Sequence, residues 1–295
     1  MIFKKVLFHT HFRELALNSL KTILELKKAG LESIILTHII PRDEVSFVPY
    51  GGYLKETEDQ LKAEARMRFE DWQKLIAEHG IKSHIRIEVG APNAEILSIA
   101  EEEAVDLIVI GRKKRTLMEK VYVGSHIMDI LRRSPVPVLM SKYMVQFEWE
   151  NEQLTRTNDH IFDRPMLATD WSQPSENARQ NMSALKGLAK TILVVHVIDA
   201  KLSKGMTRDR RSDIEKESKS RLKNYCRKIE QSGIRAEYHL SAGKTVQELV
   251  RLSRDHKASM IVMGKTGKDW FSEYWLGGVS HQIAELSELP VLLIP

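Results

Sequence analysis

The sequence predicts an α/β fold made of two tandem domains, each built on a parallel sheet. Short apolar runs alternate with amphipathic helical patterns along most of the chain, which is typical of parallel sheets covered by helices. A set of glycine and proline landmarks occurs twice at one separation. The length of 295 residues also suits two domains of ordinary size.

The first half alternates strands and helices without interruption. Its apolar runs predict strands at 5–8, 33–40, 83–89, 105–110 and 135–140. Helical periodicity predicts helices at 13–29, 55–79, 94–103 and 124–133. Gly30 and Gly80 follow the first two helices, where a glycine commonly ends a helix. Residues 41–54 are expected to form a loop.

The second half repeats this pattern. Residues 165–171 match 6–12, and 192–198 match 34–40 with a histidine kept in place. Four pairs of landmarks are each 153 residues apart: Gly90 and Gly243, Gly111 and Gly264, Gly124 and Gly277, Pro137 and Pro290. A duplicated domain explains this spacing. We predict domains at 1–143 and 165–295, a polar linker at 144–164, a charged loop at 199–213 and a helix at 214–231.

Composition narrows the class of protein. The net charge of +5 is small for this length and does not indicate a nucleic-acid partner. Cys226 is the one cysteine, so an intramolecular disulfide is excluded and a structural thiol in a reducing compartment is expected. No apolar run approaches the roughly 20 residues that span a membrane, and the N-terminus does not resemble a signal peptide. These features predict a cytoplasmic protein.

The strongest functional pattern follows the apolar run 260–263. Gly264 comes directly after it, Gly267 follows three positions later, and nine residues separate Gly267 from Gly277. Glycines between a strand and a helix leave backbone N–H groups open to an anion at the helix N-terminus. Ordinary turn residues have the same composition. The copy of this spacing that begins at Gly111 favours the phosphate-binding interpretation.

Two further stretches of the second half are specific: Thr169-Asp170-Trp171-Ser172 ends its first strand, and His196-Val197-Ile198-Asp199 ends its second. Together with the glycine pattern, they are the basis on which each half resembles a universal stress protein domain. The resemblance implies a five-stranded parallel sheet of order 3-2-1-4-5 with helices on both faces, a fold of the adenine nucleotide alpha hydrolase-like type. It also implies an internal pseudo-dimer, in which the two halves pair through the strands at 136–140 and 291–294. A homodimer and an unidentified protein partner are further expectations.

The resemblance further implies bound AMP or ATP, with Mg²⁺ possible beside ATP. The expected nucleotide-binding residues are Ala168, Thr169, Asp170, Val197, Gly264, Lys265, Gly267, Gly277, Gly278, Val279 and Ser280. In the family, the aspartate contacts the adenosine, the valine backbone holds the adenine edge, and the glycines reach the phosphates. Gly278 stands where the family has Ser or Thr, so one hydroxyl that could bind a phosphate is missing. We expect the affinity for a monophosphate to be reduced least.

The first half departs from the family pattern. Its corresponding residues are His11, Ile39, Gly111, Lys114, Gly124 and Ser125. His11 replaces the aspartate, and Lys114 replaces a glycine whose backbone conformation a side chain resists. We therefore expect this half to bind adenine nucleotide poorly or not at all. The alternative is that the basic run 112–115 attracts phosphate by its charge.

The remaining candidate residues indicate structure more than chemistry. His9 and His11 point to one face of a strand end, but two ligands do not make a usual metal site, so no metal is predicted. His38 and His196 are expected to bond to backbone. The aromatic residues Trp270, Phe271, Tyr274 and Trp275 form either core or a partner surface.

No catalytic triad or activated cysteine is evident. We predict a non-catalytic nucleotide-binding sensor or regulator in stress response. The alternatives are a slow ATP hydrolase at the same site and a nucleotide-independent scaffold.

Overall fold

The computed structural model describes residues 3–13, 15–47, 52–111, 125–142, 144–149, 152–200, 206–265 and 278–295. Within these residues the two halves share one ten-stranded sheet with helices on both faces. The strands of the first half are β1 (Lys5–His9), β2 (Ser33–Pro41), β3 (Ser46–Phe47), β4 (Gly52–Tyr53), β5 (Lys82–Gly90), β6 (Leu107–Gly111) and β7 (Val138–Ser141). Its helices are α1 (Ala16–Leu24), α2 (Lys55–Glu78), α3 (Pro92–Glu102) and α4 (Ser125–Arg133).

A two-stranded hairpin lies between the halves, formed by β8 (Met144–Trp149) and β9 (Glu152–Thr157). The strands of the second half are β10 (Pro165–Ala168), β11 (Ile192–Asp199), β12 (Ala236–Gly243), β13 (Met260–Gly264) and β14 (Val291–Ile294). Its helices are α5 (Gln173–Asn181), α6 (Arg208–Glu230), α7 (Thr245–Asp255) and α8 (Gly278–Leu286).

The sheet order confirms the expected topology in both halves. Its strands follow each other as β12-β11-β10-β13-β14-β7-β6-β1-β2-β5, so each half has the order 3-2-1-4-5. Pairing within each half is parallel, whereas β14 and β7 pair antiparallel, with Leu292 opposite Leu139. The last strands of the halves therefore join them, as the resemblance implied.

The core has two layers, one on each face of the sheet. One layer lies under α1, α2, α5 and α6, and the other lies under α3, α4, α7 and α8. Alternate residues of each strand enter opposite layers: Val6 and Phe8 enter the first, and Leu7 enters the second. Both layers continue across the β7–β14 junction, so the two halves share their apolar interior.

Three segments contain secondary structure that was not predicted. The stretch 41–54, predicted as a loop, contains the short paired strands β3 and β4. The stretch 144–164, predicted as a linker, contains the β8–β9 hairpin and ends with Ile161 and Phe162 buried in the core. The stretch 199–213, predicted as a loop, includes the beginning of α6. Thr207 caps this helix by accepting a hydrogen bond from the Arg210 amide, 3.3 Å away. The apolar pattern begins only at Ile214 because the first turns of α6 face water.

Candidate functional site

The candidate site lies at the carboxyl ends of β10 and β13. The chain runs from β10 to β11 and β12 on one side, and then crosses to β13 on the other side of β10. Ligands of open α/β sheets bind at such a change of direction. Asp170 follows β10 by two residues, and Gly264 is the last residue of β13.

Asp170 is held in a tight turn that begins α5. Its Oδ1 accepts hydrogen bonds from the Ser172 amide at 3.1 Å and from the Ser172 and Ser175 hydroxyls at 2.5 Å each. Ser172 is also the N-cap residue of α5. These bonds fix the carboxylate in one orientation beside the strand ends.

Gly264 is required by the close approach of this turn. A Cβ at Gly264 would lie 2.6 Å from the carbonyl carbon and from the Cβ of Pro174. The glycine therefore brings the start of α5 against the end of β13. A Cβ at Gly278, the first residue of α8, would meet no described atom within 4 Å. The N–H groups at the start of a helix attract negative charge.

Lys265 is anchored through its backbone and its side chain. Its amide donates to the Ile294 carbonyl at 2.7 Å, and its own carbonyl accepts a bond from the Ser280 hydroxyl at 2.6 Å. Its ammonium donates to the Ser134 carbonyl of the first half at 3.1 Å. Burial lowers the pKa of this ammonium. In this arrangement Ser280 fastens α8 to the end of β13, and Lys265 reaches across the domain junction.

An apolar wall completes the described part of the site. Ala168, Val197 and Met263 are buried in one layer of the core, and Val279 packs against the same layer. Thr169 is buried at the end of β10, and its amide donates to the Val195 carbonyl at 2.9 Å. These side chains form the apolar core next to the strand ends that precede Asp170 and Lys265.

Several predicted residues lie outside the described part of the chain. They are Gly267 and Gly277 of the second half, Lys114 and Gly124 of the first half, the basic run 112–115, and the aromatic residues Trp270, Phe271, Tyr274 and Trp275. The structure brings together the Asp170 turn, Gly264, Lys265 and Ser280.

The same backbone framework recurs in the first half. Thr10 and Thr169 each accept the amide of the aromatic residue two positions later, at 2.9 and 3.2 Å. Those aromatic residues, Phe12 and Trp171, both adopt the left-handed backbone region, with φ of 53° and 68°. The framework is therefore a property of the fold, and differences between the halves come from side chains placed on it.

The paired histidines have the predicted structural role. His38 Nδ1 lies 2.8 Å from the Thr10 carbonyl oxygen, and His196 Nδ1 lies 2.7 Å from the Thr169 carbonyl oxygen. Each ring therefore ties the second strand of its half to the turn after the first strand.

The first half places imidazoles where the second half has Ala168 and Asp170. His9 is buried, and His11 keeps an exposed surface above it. Burial lowers the pKa of His9 well below its usual value, and partial burial lowers that of His11 to about 4. Both rings are therefore neutral at pH 7, and no anionic acceptor stands in this position.

The other first-half positions keep their places in the fold. Ile39 is fully buried in β2, and Gly111 ends β6 with no described atom within 4 Å of where a Cβ would stand. Ser125 is the first residue of α4. Gly111 and Gly264, which are equivalent in sequence, therefore have different surroundings.

Pro174 and Ser175 were not among the residues predicted from the sequence, whereas Ser172 was part of the family pattern. The run Ser172-Gln173-Pro174 was a usable signal, since serine is a common N-cap and proline favours the first turn of a helix. The contact of Pro174 with Gly264 had no such signal because the two residues are 90 positions apart.

A surface cleft of about 280 Å³ lies beside the Asp170 turn. It is lined by Trp171, Ser172, Gln173, Glu176, Arg221, Asn224 and Tyr225. The Trp171 ring stacks obliquely on His196 and packs its face under Arg221, with 5.8 Å from the Arg221 Cζ to the ring centroid. This cleft is bordered by α6, whereas Gly264, Lys265 and Ser280 contribute nothing to its lining.

Within the described residues, no group of three or more His, Cys, Asp or Glu side chains is arranged to hold a metal ion. Among the described helices, none combines the length and the apolar character needed to cross a membrane.

The fold and site define a class of protein: a tandem α/β protein. Each of its domains has a potential ligand site at the point where the strand order changes direction. The family model for the universal stress protein family matches residues 2–142 and again 162–295. The chain therefore belongs to the universal stress protein family, with two such domains in tandem.

Curated relatives and solved structures agree with this membership. The chain is 31% identical over 156 residues to Universal stress protein MJ0577 of Methanocaldococcus jannaschii, a match covering 48% of this chain and 96% of that protein. It is 25% identical over 141 residues to Universal stress protein MJ0531 of the same organism, covering 48% and 83%. A universal stress protein from Archaeoglobus fulgidus shares the fold over 100% of this chain and 99% of its own, with a TM-score of 0.74 and 21% identity.

Proposed function

We propose that the chain binds an adenine nucleotide, AMP or ATP, in its second domain, and acts as a non-catalytic sensor or regulator in stress response. The observation that carries the proposal is the convergence of the Asp170 turn, Gly264 and the start of α8 at one end of the sheet. These groups supply an acceptor, a close backbone approach and a helix N-terminus, which together suit a nucleotide.

Each part of the nucleotide has a partner in this proposal. The base lies on the wall of Ala168, Val197 and Val279. Asp170 accepts a hydrogen bond from the adenosine, and Thr169 lines the ribose. The phosphates approach the backbone at Gly264, Gly267, Gly277 and Gly278.

The described residues favour a monophosphate. Gly278 has no hydroxyl, and the Lys265 ammonium is engaged by Ser134 across the domain junction. The Ser280 hydroxyl is likewise engaged by the Lys265 carbonyl. Terminal phosphates therefore gain less from these residues than the α-phosphate does, and Mg²⁺ would be the counter-charge if ATP is bound.

The first domain is assigned no nucleotide. His11 offers a neutral imidazole where Asp170 offers a carboxylate, and the large ring of His9 stands where the second domain has the small Ala168. We also propose a cytoplasmic location, supported by the buried free thiol of Cys226, whose pKa burial raises to about 11. Within the cell, a second copy of the chain or another protein would bind the nucleotide-loaded form.

Mass spectrometry of nucleotide carried through purification tests the proposal, followed by calorimetric titration with AMP and ATP. We expect one nucleotide per chain and no phosphate release above background. If millimolar AMP and ATP both leave the melting temperature unchanged, the chain is a nucleotide-independent scaffold and the proposal is wrong. Phosphate release that follows enzyme concentration would instead identify a slow ATP hydrolase.

A further inference from the structure

His9 and His11 bring two ring nitrogens together at the end of β1. Their Nε2 atoms are 3.3 Å apart, and the rings meet edge to face with centroids 4.7 Å apart. His9 lies beneath the surface with 5% of its area exposed, while His11 is open to solvent. Solvent therefore reaches the outer side of this pair.

The separation of the two nitrogens matches that of two ligands on one metal ion. Nitrogen bonds of about 2.0–2.1 Å in a tetrahedral site place two ligand nitrogens about 3.3–3.4 Å apart. As a hydrogen bond between the two rings, 3.3 Å is beyond the range of about 2.7–3.2 Å that N–H···O bonds usually span. The pair also needs one ring to donate, whereas a metal ion would accept a lone pair from both.

The second nitrogen of His9 supports the same interpretation. His9 Nδ1 is buried and has no partner of ordinary hydrogen-bond geometry within the described residues. Thr37, the neighbour of His9 on β2, is the residue whose backbone lies close enough to influence the pKa of this ring. Metal-bound imidazoles commonly direct the other N–H toward a backbone carbonyl. A metal on Nε2 would fix the proton of His9 on Nδ1, facing that backbone.

The backbone between the two histidines is already rigid. The Thr10 carbonyl accepts from His38 Nδ1 at 2.8 Å, and the Thr10 hydroxyl accepts from the Phe12 amide at 2.9 Å. The Thr10 amide donates to the Thr37 carbonyl at 3.0 Å. Little ordering is then needed on binding, which favours affinity.

We propose that His9 and His11 bind one divalent transition-metal ion that prefers imidazole, with Zn²⁺ as the probe, through their two Nε2 atoms. Water fills the remaining coordination positions, because the described residues hold no third His, Cys, Asp or Glu arranged for it. Ions of this class accept imidazole readily, unlike Mg²⁺ or Ca²⁺. The site is independent of the proposed nucleotide site, since it lies in the other domain.

The test uses the untagged full-length chain, stripped with a chelator and dialysed against Zn²⁺ at pH 7.5. Bound zinc is counted per chain, and Co²⁺ then replaces it so that its visible absorption reports nitrogen ligation. The variants are His11→Ala, at an exposed position, and His9→Gln, with circular dichroism to check folding. His256→Ala is the matched control, because His256 forms the other close histidine pair, with His239 at a ring separation of 4.8 Å.

We expect one equivalent of zinc per chain, an affinity at least tenfold weaker in His11→Ala, and an unchanged affinity in His256→Ala. Absence of binding by the wild-type chain at 100-fold excess zinc overturns the proposal. Binding that survives His11→Ala, or that disappears in His256→Ala, also overturns it. If His9→Gln loses its fold, the result for His11→Ala alone decides.

Discussion

The Lys265 ammonium lies 3.1 Å from the backbone carbonyl oxygen of Ser134. This contact ties the residue that follows β13 to the residue that follows α4 in the other domain. Its counterpart joins the Lys142 ammonium to the Ser287 carbonyl at the end of α8. Ser134 and Ser287 are 153 residues apart, so the two contacts act on equivalent helix ends. A cation near the C-terminus of a helix is electrostatically favourable. In each contact, a lysine of one domain lies at the C-terminal end of a helix in the other domain.

Removing the Lys265 ammonium should weaken the junction. Lys265→Met keeps much of the buried stem but leaves the Ser134 carbonyl without this donor, at a cost of about 1–2 kcal/mol. We expect the melting temperature to fall by a few degrees in scanning calorimetry. Lys219→Met, at an exposed position of α6, is the control and should melt as the wild type does. Equal melting of the two variants would show that the junction gains nothing from Lys265.

The equivalent glycines Gly264 and Gly111 should respond differently to alanine. Gly264→Ala places a methyl group 2.6 Å from the Pro174 backbone, and such overpacking typically costs about 1–3 kcal/mol. Gly111→Ala meets open space among the described atoms and should change stability little. Chemical unfolding of both variants measures the difference. A Gly111→Ala variant as unstable as Gly264→Ala would contradict the distinct surroundings of the two residues.

Asp170→Ala should weaken nucleotide binding by about 10- to 150-fold, because a hydrogen bond to a charged acceptor contributes about 1.5–3 kcal/mol. The same change releases the Ser172 and Ser175 hydroxyls, so the Asp170→Asn variant, which keeps an acceptor oxygen, should lie between. Titration calorimetry with AMP measures all three proteins. Asp213→Ala, in the solvated part of α6, is the charge-matched control. Wild-type affinity in Asp170→Ala would remove this residue from the site.

Stability should fall as the pH falls below about 6.5. The pKa of His9 is well below 6.5 in the folded chain, so the unfolded chain binds its proton first as the pH drops. The contribution of neutral His9 to the free energy of unfolding is fully present above about pH 6.5 and is lost progressively below it. At pH 5.5 the loss is about 1.4 kcal/mol for a buried group such as His9. His11 adds less because water screens its exposed surface.

Urea unfolding at pH 7.5 and 5.5 checks this dependence. His38 has a lowered pKa as well and contributes in the same direction. A hydrogen bond from Lys5 lowers the pKa of the Glu103 carboxyl to about 2. Its effect on stability therefore appears only at lower pH. The variant His9→Gln should show a smaller difference between the two pH values than the wild type. An identical difference in both would exclude His9 as the source.

The sequence by itself determined the number of domains, the alternation of strands and helices, and the family. These properties depend on local periodicity and on repeated landmarks such as Gly111 and Gly264. Both can be recognised in the sequence without knowledge of the tertiary contacts. The β7–β14 junction followed from the family resemblance, and the sheet order confirms it. The beginning of α6 was misplaced because its first turns contain charged residues that give no apolar period.

Only the tertiary structure decided which side chains meet. The Gly264–Pro174 approach, the Lys265–Ser134 bond and the 3.3 Å contact of His9 with His11 depend on distances that the chain closes through folding. The first two join residues 90 and 131 positions apart in the chain. The third joins near neighbours, but the separation of their nitrogens is set by side-chain rotation and burial. Periodicity records which face a residue takes, whereas packing determines the atom it touches.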